Sequence, residues 1–275
     1  MSQFDKRNIS MMMDLYEMTM ADCYFAEKDE ETQVVFDVFY RKNPDQGGFA
    51  IFAGLEQIVE YIEDLHFDED DISYFSSLHL FSEEFLQYLK NFRFKGDIYA
   101  FPEGTVMYPN EPVLTVIAPL IDAQLIETAV LAQINHQSLI ATKASRLIRA
   151  AQGRVILEFG SRRAQGADAA IVGARAAYIG GCAGTACTIS DQLFGVPAGG
   201  TMAHAWVQMF DSELEAFKTY CKCYPKGTVL LVDTYNVLKS GVPNAIKAFD
   251  EVLKPMGCRP VGIRIDSGDI TYLSK

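Results

Sequence analysis

Hydrophobic and polar positions early in the chain follow a two-residue period in some segments and a helical period in the segments that separate them. The stretch QVVFDVFY, residues 33–40, has apolar residues on both faces of the two-residue period, which predicts a mostly buried strand. Residues 49–65 predict a strand that runs into an amphipathic helix. Residues 66–92 have an acidic helical pattern, and residues 97–120 carry short strands interrupted by proline turns.

The pattern changes after residue 120. Residues 121–152 are rich in Ala, Leu and Ile and predict one long helix or two shorter ones. From Arg154 onward, continuous apolar strands alternate with helices, which is typical of parallel βα units. We therefore predict an α/β protein with an N-terminal α+β domain over residues 1–125 and a β/α domain over residues 126–275.

The β/α region contains fewer strands than a closed eight-stranded barrel needs. We predict strands near residues 155, 186, 196, 229 and 261. The chain ends at TYLSK, directly after a polar loop that follows the last of them. We therefore expect an incomplete barrel and a chain that is part of a longer protein.

Composition and charge exclude several classes of protein. The chain has 275 residues, 49% of them hydrophobic, so it can bury a large core. Its 36 acidic and 24 basic residues give a formal charge of −12, which argues against a dedicated nucleic-acid binder. No signal-peptide pattern or long apolar run points to export or to a membrane, so we expect a cytoplasmic protein.

The cysteines do not indicate a disulfide framework or a zinc site. There are 6 of them, spread along a chain without an export signal. Cys221 and Cys223 form a C-x-C pair, but no second pair or histidine follows at the spacing of zinc ligands. We interpret all of them as ordinary thiols.

His204 follows a glycine pair in the segment GVPAGGTMAHAW, where a helix is predicted to begin. Glycines let backbone amides approach an anion, and a helix N-terminus favours negative charge, so phosphate is the natural ligand. A histidine beside phosphate can donate a hydrogen bond, act as a general acid or become a covalent nucleophile. The alternative is a histidine that is hydrogen-bonded in the core. We favour the functional interpretation.

Carboxylates follow two other predicted strands. Asp266 and Asp269 flank Ser-Gly in RIDSGD, with Arg264 on the strand before them. Such a set suits magnesium and a polyanion, although ordinary turns use the same residues. Asp233 in VDTYN also ends a strand and could equally cap the next helix.

Basic and aromatic residues near other strand ends have two interpretations as well. The consecutive arginines of EFGSRR suit a carboxylate or phosphate ligand, or form a surface pair with acidic neighbours. The aromatic residues of MDLYEM are typical of a core, and the basic residues of FYRKNP are typical of a solvated turn.

Six segments resemble, in chain order, the nicotinate phosphoribosyltransferase family: DLYEMTM, FYRKNP, EFGSRRAQG, GTMAHAW, LLVDTYN and RIDSGD. The whole chain is similar to the first portion of that enzyme. The resemblance implies an N-terminal α+β domain followed by an irregular β/α barrel of the type II phosphoribosyltransferase kind. It also implies a homodimer with shared active sites.

The family joins nicotinate to 5-phosphoribosyl 1-diphosphate, with release of diphosphate and nicotinate mononucleotide, as the first step of NAD salvage. It couples this reaction to ATP hydrolysis with Mg²⁺ through a phosphorylated histidine. The resemblance therefore implies nicotinate, 5-phosphoribosyl 1-diphosphate and ATP as substrates and Mg²⁺ as cofactor. The family's later strands would lie beyond Lys275, so we expect the chain to be inactive alone.

The resemblance also implies roles for residues around nicotinate. His204 would be phosphorylated, and Thr201 would lie beside nicotinate. Phe159 and Tyr16 would stack on opposite faces of the pyridine ring, with Arg162 close to the substrate.

Further roles concern the sugar phosphate. Tyr16 and Arg41 would come from the partner subunit, with Arg41 at the phosphates. Arg264, Asp266 and Asp233 would face the ribose, the diphosphate and magnesium. The two aspartates would be catalytic residues and candidate magnesium ligands. Gly268, in the RIDSGD loop, would also bind substrate.

Substrate choice depends in part on the segment GCAGTACT. The related nicotinamide enzyme has an aspartate after Gly-Thr, where it accepts a hydrogen bond from the amide. This chain has Ala186 there, which favours the acid as substrate. The alternatives are a nicotinamide or quinolinate phosphoribosyltransferase, or a non-catalytic fragment of such an enzyme.

Overall fold

The computed structural model describes residues 8–27 and 32–275. The chain divides into two compact units, one up to Gly199 and one from Gly200 to Lys275. The boundary predicted between residues 125 and 126 lies inside the first unit and stays a prediction. Among the described residues, no helix is both long enough and apolar enough to cross a membrane.

The first unit contains a three-stranded antiparallel sheet in the order β1-β5-β3 and an antiparallel pair formed by β2 and β4. These strands are β1 Gln33–Val38, β2 Ala50–Ile51, β3 Asp97–Ala100, β4 Val106–Met107 and β5 Leu114–Pro119.

The prediction that β1 is mostly buried is wrong. Its residues alternate between exposed and half-buried, and Val35 is 61% exposed. The reason is that one face of β1 packs against the core and the other face is open. Apolar residues on both faces therefore do not show that both faces are covered.

Six helices precede the first βα units in the described residues. They are α1 Leu15–Glu27, α2 Leu55–Asp64, α3 Glu69–Ser77, α4 Glu83–Lys90, α5 Leu120–Leu125 and α6 Glu127–Ala151. Asp68 begins α3 with a capping box, and Ser82 accepts a hydrogen bond from the Phe85 amide at the start of α4. Their apolar faces meet the sheet in one core that includes Phe52, Ile58 and Phe85.

The helix predicted over residues 121–152 is confirmed as α5 followed by α6. The 25 residues of α6 make it about 37 Å long, so it can contact many parts of the first unit. β2, the turn after β1 and α1 all form hydrogen bonds with this helix.

The first βα units also lie within the first unit. They consist of β6 Leu157–Glu158, α7 Ala167–Ile179, β7 Gly184–Thr185 and α8 Thr188–Phe194. β6 and β7 are parallel, and Ala198 continues the arrangement through a parallel bridge to Thr185. The predicted parallel arrangement is confirmed here.

The second unit repeats the βα pattern around its own core. Its elements are α9 His204–Gln208, α10 Glu213–Cys223, β8 Val229–Leu231, α11 Val242–Ala248, β9 Gly262–Arg264 and α12 Ile270–Leu273. Single π-helical turns flank α11, so residues 237–253 form one continuous helix. β8 and β9 are parallel, with Leu231 opposite Arg264.

Candidate functional site

Polar loops meet at the carboxyl ends of β8 and β9. Because the two strands are parallel and in register, the loops that follow them leave the same edge of the sheet. The Val232 amide donates to the Arg264 carbonyl at 3.0 Å and extends the pairing past the strand ends. Asp233 and Asp266 come directly after this point.

Asp233 is the centre of the resulting cluster. Its Oδ1 lies 3.1 Å from His204 Nε2, and its Oδ2 accepts hydrogen bonds from the Asp266 amide at 3.0 Å and from Ser267 Oγ at 2.6 Å. The side chain is only 2% exposed. Burial alone would raise the pKa of Asp233, but the hydrogen bonds from Ser267, the Asp266 amide and His204 outweigh burial and lower it.

The alternative role for Asp233, a helix cap, is wrong. Asn236 begins the next helix, and its Oδ1 accepts a hydrogen bond from the Lys239 amide at 2.8 Å. The Asp233 carboxylate instead joins three segments of the second unit. This is the expected behaviour of a residue that organises a site.

His204 is the first residue of α9, and its side chain is 37% exposed. An ionised Asp233 can only accept, so Nε2 carries a proton and donates it to this carboxylate. In the neutral ring Nδ1 then keeps the lone pair. With Nε2 bound to Asp233, Nδ1 is the nitrogen that could act as a nucleophile.

Arg264 joins the other side of the cluster. Its Nη1 donates to Thr201 Oγ1 at 3.2 Å, and its Nη2 forms an ion pair with Asp266. Gly268 has a φ of +81°, which favours glycine, and an added Cβ would lie 3.1 Å from Leu273 Cδ1. Asp269 is a helix cap, because its Oδ1 accepts from the Tyr272 amide at 3.0 Å.

The EFGSRR segment lies in the first unit, after β6. Glu158 accepts hydrogen bonds from Thr185 Oγ1 at 2.7 Å and from the Gly160 amide, so its carboxylate joins β7 to the loop after β6. Phe159 is half-buried, and Arg162 is exposed on a short 3-10 turn.

Tyr16 and Arg41 also belong to the first unit. The Tyr16 hydroxyl donates to Glu127 Oε1 at 3.1 Å, at the start of α6. Desolvation and the Glu127 carboxylate raise the pKa of Tyr16 to about 12, so the hydroxyl stays protonated at neutral pH. The side chain is 45% exposed, and Arg41 is exposed on the turn after β1.

Comparison with known proteins decides the family. Residues 11–135 match the model of the nicotinate phosphoribosyltransferase (NAPRTase) N-terminal domain. The chain is 48% identical over 268 residues to nicotinate phosphoribosyltransferase pncB2 of Mycobacterium tuberculosis, which covers 97% of the chain and 56% of the relative. It is 45% identical to nicotinate phosphoribosyltransferase of Bacillus subtilis, over 99% of the chain and 55% of that relative. The predicted resemblance to the nicotinate phosphoribosyltransferase family is confirmed.

Solved structures agree with this family. The human nicotinic acid phosphoribosyltransferase matches with a TM-score of 0.87 and 30% identity, over 94% of the chain and 61% of the human one. Nicotinate-nucleotide pyrophosphorylase from Pyrococcus furiosus matches with a TM-score of 0.74 and 25% identity, over 95% of the chain and 58% of that protein. The predicted α/β fold of the type II phosphoribosyltransferase kind is confirmed. The chain spans about half the length of the curated family members it matches.

The structure brings together predicted site residues of the second unit. His204, Asp233, Arg264, Thr201 and Asp266 form one network of hydrogen bonds and ion pairs. Sequence analysis missed Ser267 and Glu158, although both stand inside the segments that it selected. Ser267 stands next to an aspartate and Glu158 ends a strand, and these positions are the signals that could have identified them.

The expected backbone cradle at the glycine pair is partly corrected by the structure. The Gly199 amide donates to the Thr185 carbonyl at 2.8 Å, so the sheet uses it and an anion cannot.

Magnesium was expected at Asp266 and Asp233. Within residues 8–27 and 32–275, no group of three or more His, Cys, Asp or Glu side chains could bind a metal ion. Asp233 already accepts three hydrogen bonds, whereas Asp266 is partly exposed beside Arg264. This donor set fits a Mg²⁺ ion that takes most of its ligands from elsewhere, with Asp266 as the better protein ligand.

Proposed function

We propose that this chain carries out the nicotinate phosphoribosyltransferase reaction within its whole gene product. Nicotinate and 5-phosphoribosyl 1-diphosphate would give nicotinate mononucleotide and diphosphate, in the cytoplasm, as the first step of NAD salvage. The observation that supports it most is the network that contains His204, Asp233 and Arg264. These residues lie in segments that resemble the family, in a chain that is 48% identical to a nicotinate phosphoribosyltransferase.

The sugar phosphate is the natural ligand of the Arg264 side of the cluster. A planar guanidinium can donate two parallel hydrogen bonds to phosphate oxygens. Arg264 already bonds to Thr201 and Asp266, which fix its orientation before substrate binds. Magnesium, when bound with the diphosphate at Asp266, would neutralise charge on the leaving group.

The ATP-coupled step would use His204. Its Nδ1 lone pair attacks the γ-phosphorus of ATP, the bond from that phosphorus to the bridging oxygen breaks, and ADP leaves with the bond electrons. The imidazole ring then carries positive charge with its proton still on Nε2. The ionised carboxylate of Asp233, 3.1 Å from Nε2, stabilises that charge.

Nicotinate would bind through its flat ring and its carboxylate. Phe159 and Tyr16 supply aromatic faces for stacking, with Tyr16 and Arg41 from the partner subunit of a homodimer, and Arg162 supplies a positive charge. Ala186 is exposed and its amide donates to the Glu158 carbonyl at 2.9 Å. An alanine there places no further negative charge beside the substrate carboxylate.

Labelled ATP tests the proposal. The whole gene product is incubated with γ-labelled ATP and Mg²⁺, and the label is mapped by peptide analysis under alkaline conditions. We expect label on His204, its loss in His204→Asn, and nicotinate-dependent release of diphosphate. His79→Asn is the control, because His79 is exposed and its φ of +53° suits asparagine.

The same assay separates the alternatives. Nicotinate, nicotinamide and quinolinate are compared as acceptors, and preferential turnover of either of the last two would replace nicotinate in the proposal. Absence of both the label and base-dependent diphosphate release would indicate a non-catalytic protein.

A further inference from the structure

The turn after β1 wraps the side chain of Arg146, which belongs to α6. Arg146 Nη1 contacts Asp45 Oδ2 at 2.9 Å, and Nη2 donates to the Pro44 carbonyl at 2.6 Å. Lys143, one turn earlier on α6, lies 3.6 Å from the same Asp45 oxygen. Because the Arg146 side chain is only 28% exposed, water screens this contact less than an open surface pair.

The turn has a shape that needs outside support. Asp45 and Gln46 have φ values of +52° and +55°, which are rare for residues other than glycine. The Asn43 side chain donates to the Gly47 carbonyl at 3.0 Å and closes the turn across these two residues. Strained conformations persist where surrounding contacts fix them, and Arg146 makes those contacts here.

Gly47 shows that the turn is fitted to the guanidinium. A Cβ at this position would lie 2.1 Å from Arg146 Nη2. Its φ is −71°, which any residue adopts, so glycine is required for space and not for backbone conformation. At the neighbouring Gly48, an added Cβ meets nothing within 4 Å.

A second anchor precedes this turn. The Tyr40 hydroxyl donates to the Asn135 carbonyl of α6 at 3.2 Å, and the Tyr40 carbonyl accepts from the Asn110 amide at 2.7 Å. Arg41 and Lys42 therefore lie between two anchors on the same helix. Both side chains are exposed.

We propose that Arg146 is a positioning residue that fixes Arg41 and Lys42 for a substrate that carries phosphate groups. This inference rests on the proposed function, in which Arg41 lies at the phosphates of the sugar substrate. A fixed pair of cations loses less conformational entropy on binding than a mobile pair, so the anchor raises affinity for the phosphate-bearing substrate without touching it. Arg146 acts through the turn and contacts no reacting atom.

Two variants remove the anchor in different ways. Arg146→Ala deletes the guanidinium. Gly47→Ala keeps every charge and a permitted backbone conformation but forces the guanidinium out of the turn. Gly48→Ala is the matched control, and Arg146→Lys keeps the charge while it loses the two-pronged contact.

The first readout does not depend on activity. Trypsin cuts after Arg41 and Lys42 only when the local backbone opens, and mass spectrometry follows the fragments from native protein. We expect Arg146→Ala and Gly47→Ala to raise the rate of these cuts about tenfold, and Gly48→Ala to leave it unchanged. Unchanged cleavage in both anchor variants would overturn the proposal.

The second readout is the KM for 5-phosphoribosyl 1-diphosphate in the whole gene product. We expect an increase of about fivefold in Arg146→Ala and Gly47→Ala, a partial recovery in Arg146→Lys, and an unchanged KM for nicotinate. One outcome would overturn only the positioning role of Arg146. In it, Arg146→Ala and Gly47→Ala are cleaved faster but keep the wild-type KM, while Arg41→Ala raises the KM. An unchanged KM in Arg41→Ala would instead overturn the phosphate role of Arg41, which belongs to the proposed function.

Discussion

His204 Nε2 lies 3.1 Å from Oδ1 of Asp233, a carboxylate whose other oxygen is bound by the loop that follows β9. The same carboxylate thus orients the histidine and joins the loops after β8 and β9. Removing its charge should affect both the stability of this unit and the chemistry of the histidine.

Asp233→Asn should destabilise the protein. Asparagine has one acceptor oxygen in place of two, so it cannot accept from His204 on one side and from Ser267 Oγ and the Asp266 amide on the other. We expect a loss of about 1 to 3 kcal/mol in the free energy of unfolding, measured with urea at neutral pH. Asp250→Asn, at an exposed aspartate in the same unit, should change it by less than about 0.5 kcal/mol. Equal effects in the two variants would contradict the assigned role.

The contribution of Asp233 should also depend on pH. Its pKa is lower in the folded protein than in the unfolded chain, so its stabilisation is complete above the unfolded value of about 4. It is lost as pH falls through the folded pKa. The stability difference between wild type and Asp233→Asn should therefore be constant from pH 6 to pH 8 and shrink in acid. A difference that grows in acid would show that the sign is wrong.

The stability contribution of Glu17 should depend on pH in the opposite direction to that of Asp233. It is fully buried, and its Oε1 accepts hydrogen bonds from the amide and the hydroxyl of Thr128 at the start of α6. Burial raises the pKa of Glu17 despite these hydrogen bonds. A group with a raised pKa contributes stability below its unfolded value, and this stability is lost as pH rises through the folded value.

Glu17→Gln should remove that loss, because glutamine keeps the acceptor for Thr128 without a charge. We expect this variant to gain stability relative to wild type as pH rises from 5 to 8, measured by urea unfolding. Glu17→Ala leaves the Thr128 amide without its acceptor and should be less stable than wild type at every pH, by about 1 to 3 kcal/mol. A pH-independent difference between Glu17→Gln and wild type would contradict the titration.

Tyr16 offers a test of ring stacking that separates the ring from its hydroxyl. The hydroxyl is bonded to Glu127, whereas the ring is 45% exposed. If the ring stacks on nicotinate, Tyr16→Phe should keep the KM for nicotinate within about twofold, and Tyr16→Ala should raise it about tenfold. Steady-state kinetics with varied nicotinate measure this. Equal KM values in Tyr16→Ala and wild type would remove Tyr16 from the nicotinate site.

Local patterns predicted most elements because each depends on residues that are close in sequence. The helix over residues 121–152 and the strands before VDTYN and RIDSGD follow from periodicity alone. The sequence pattern did not predict how much of β1 is buried, because that depends on whether another element covers its second face, and Val35 on that face is 61% exposed. Such information is absent from the strand's own sequence.

Within the candidate site, residue types were easier to predict than partners. From the sequence alone, Asp233 could be either a helix cap or a functional carboxylate. The structure decides this, because Asn236 caps the next helix instead. Glu158 acts on Thr185, 27 residues away, and Arg146 acts on Asp45, 101 residues away. No local spacing rule connects such pairs, so their roles emerge only from the folded chain.

Ala186 provides the sharpest test of substrate choice. It is exposed after β7, next to the loop that carries Phe159, and the Glu158 carboxylate already lies close by, bonded to Thr185. Ala186→Asp would add a second negative charge, which repels the nicotinate carboxylate but can accept a hydrogen bond from the nicotinamide amide. We expect kcat/KM for nicotinate to fall at least about tenfold and the ratio of nicotinamide to nicotinate turnover to rise. Ala183→Asp, at an exposed alanine before the same strand, should leave both values close to wild type. If Ala186→Asp retains full preference for nicotinate, the charge at position 186 does not select the substrate, and Arg162 becomes the residue to examine.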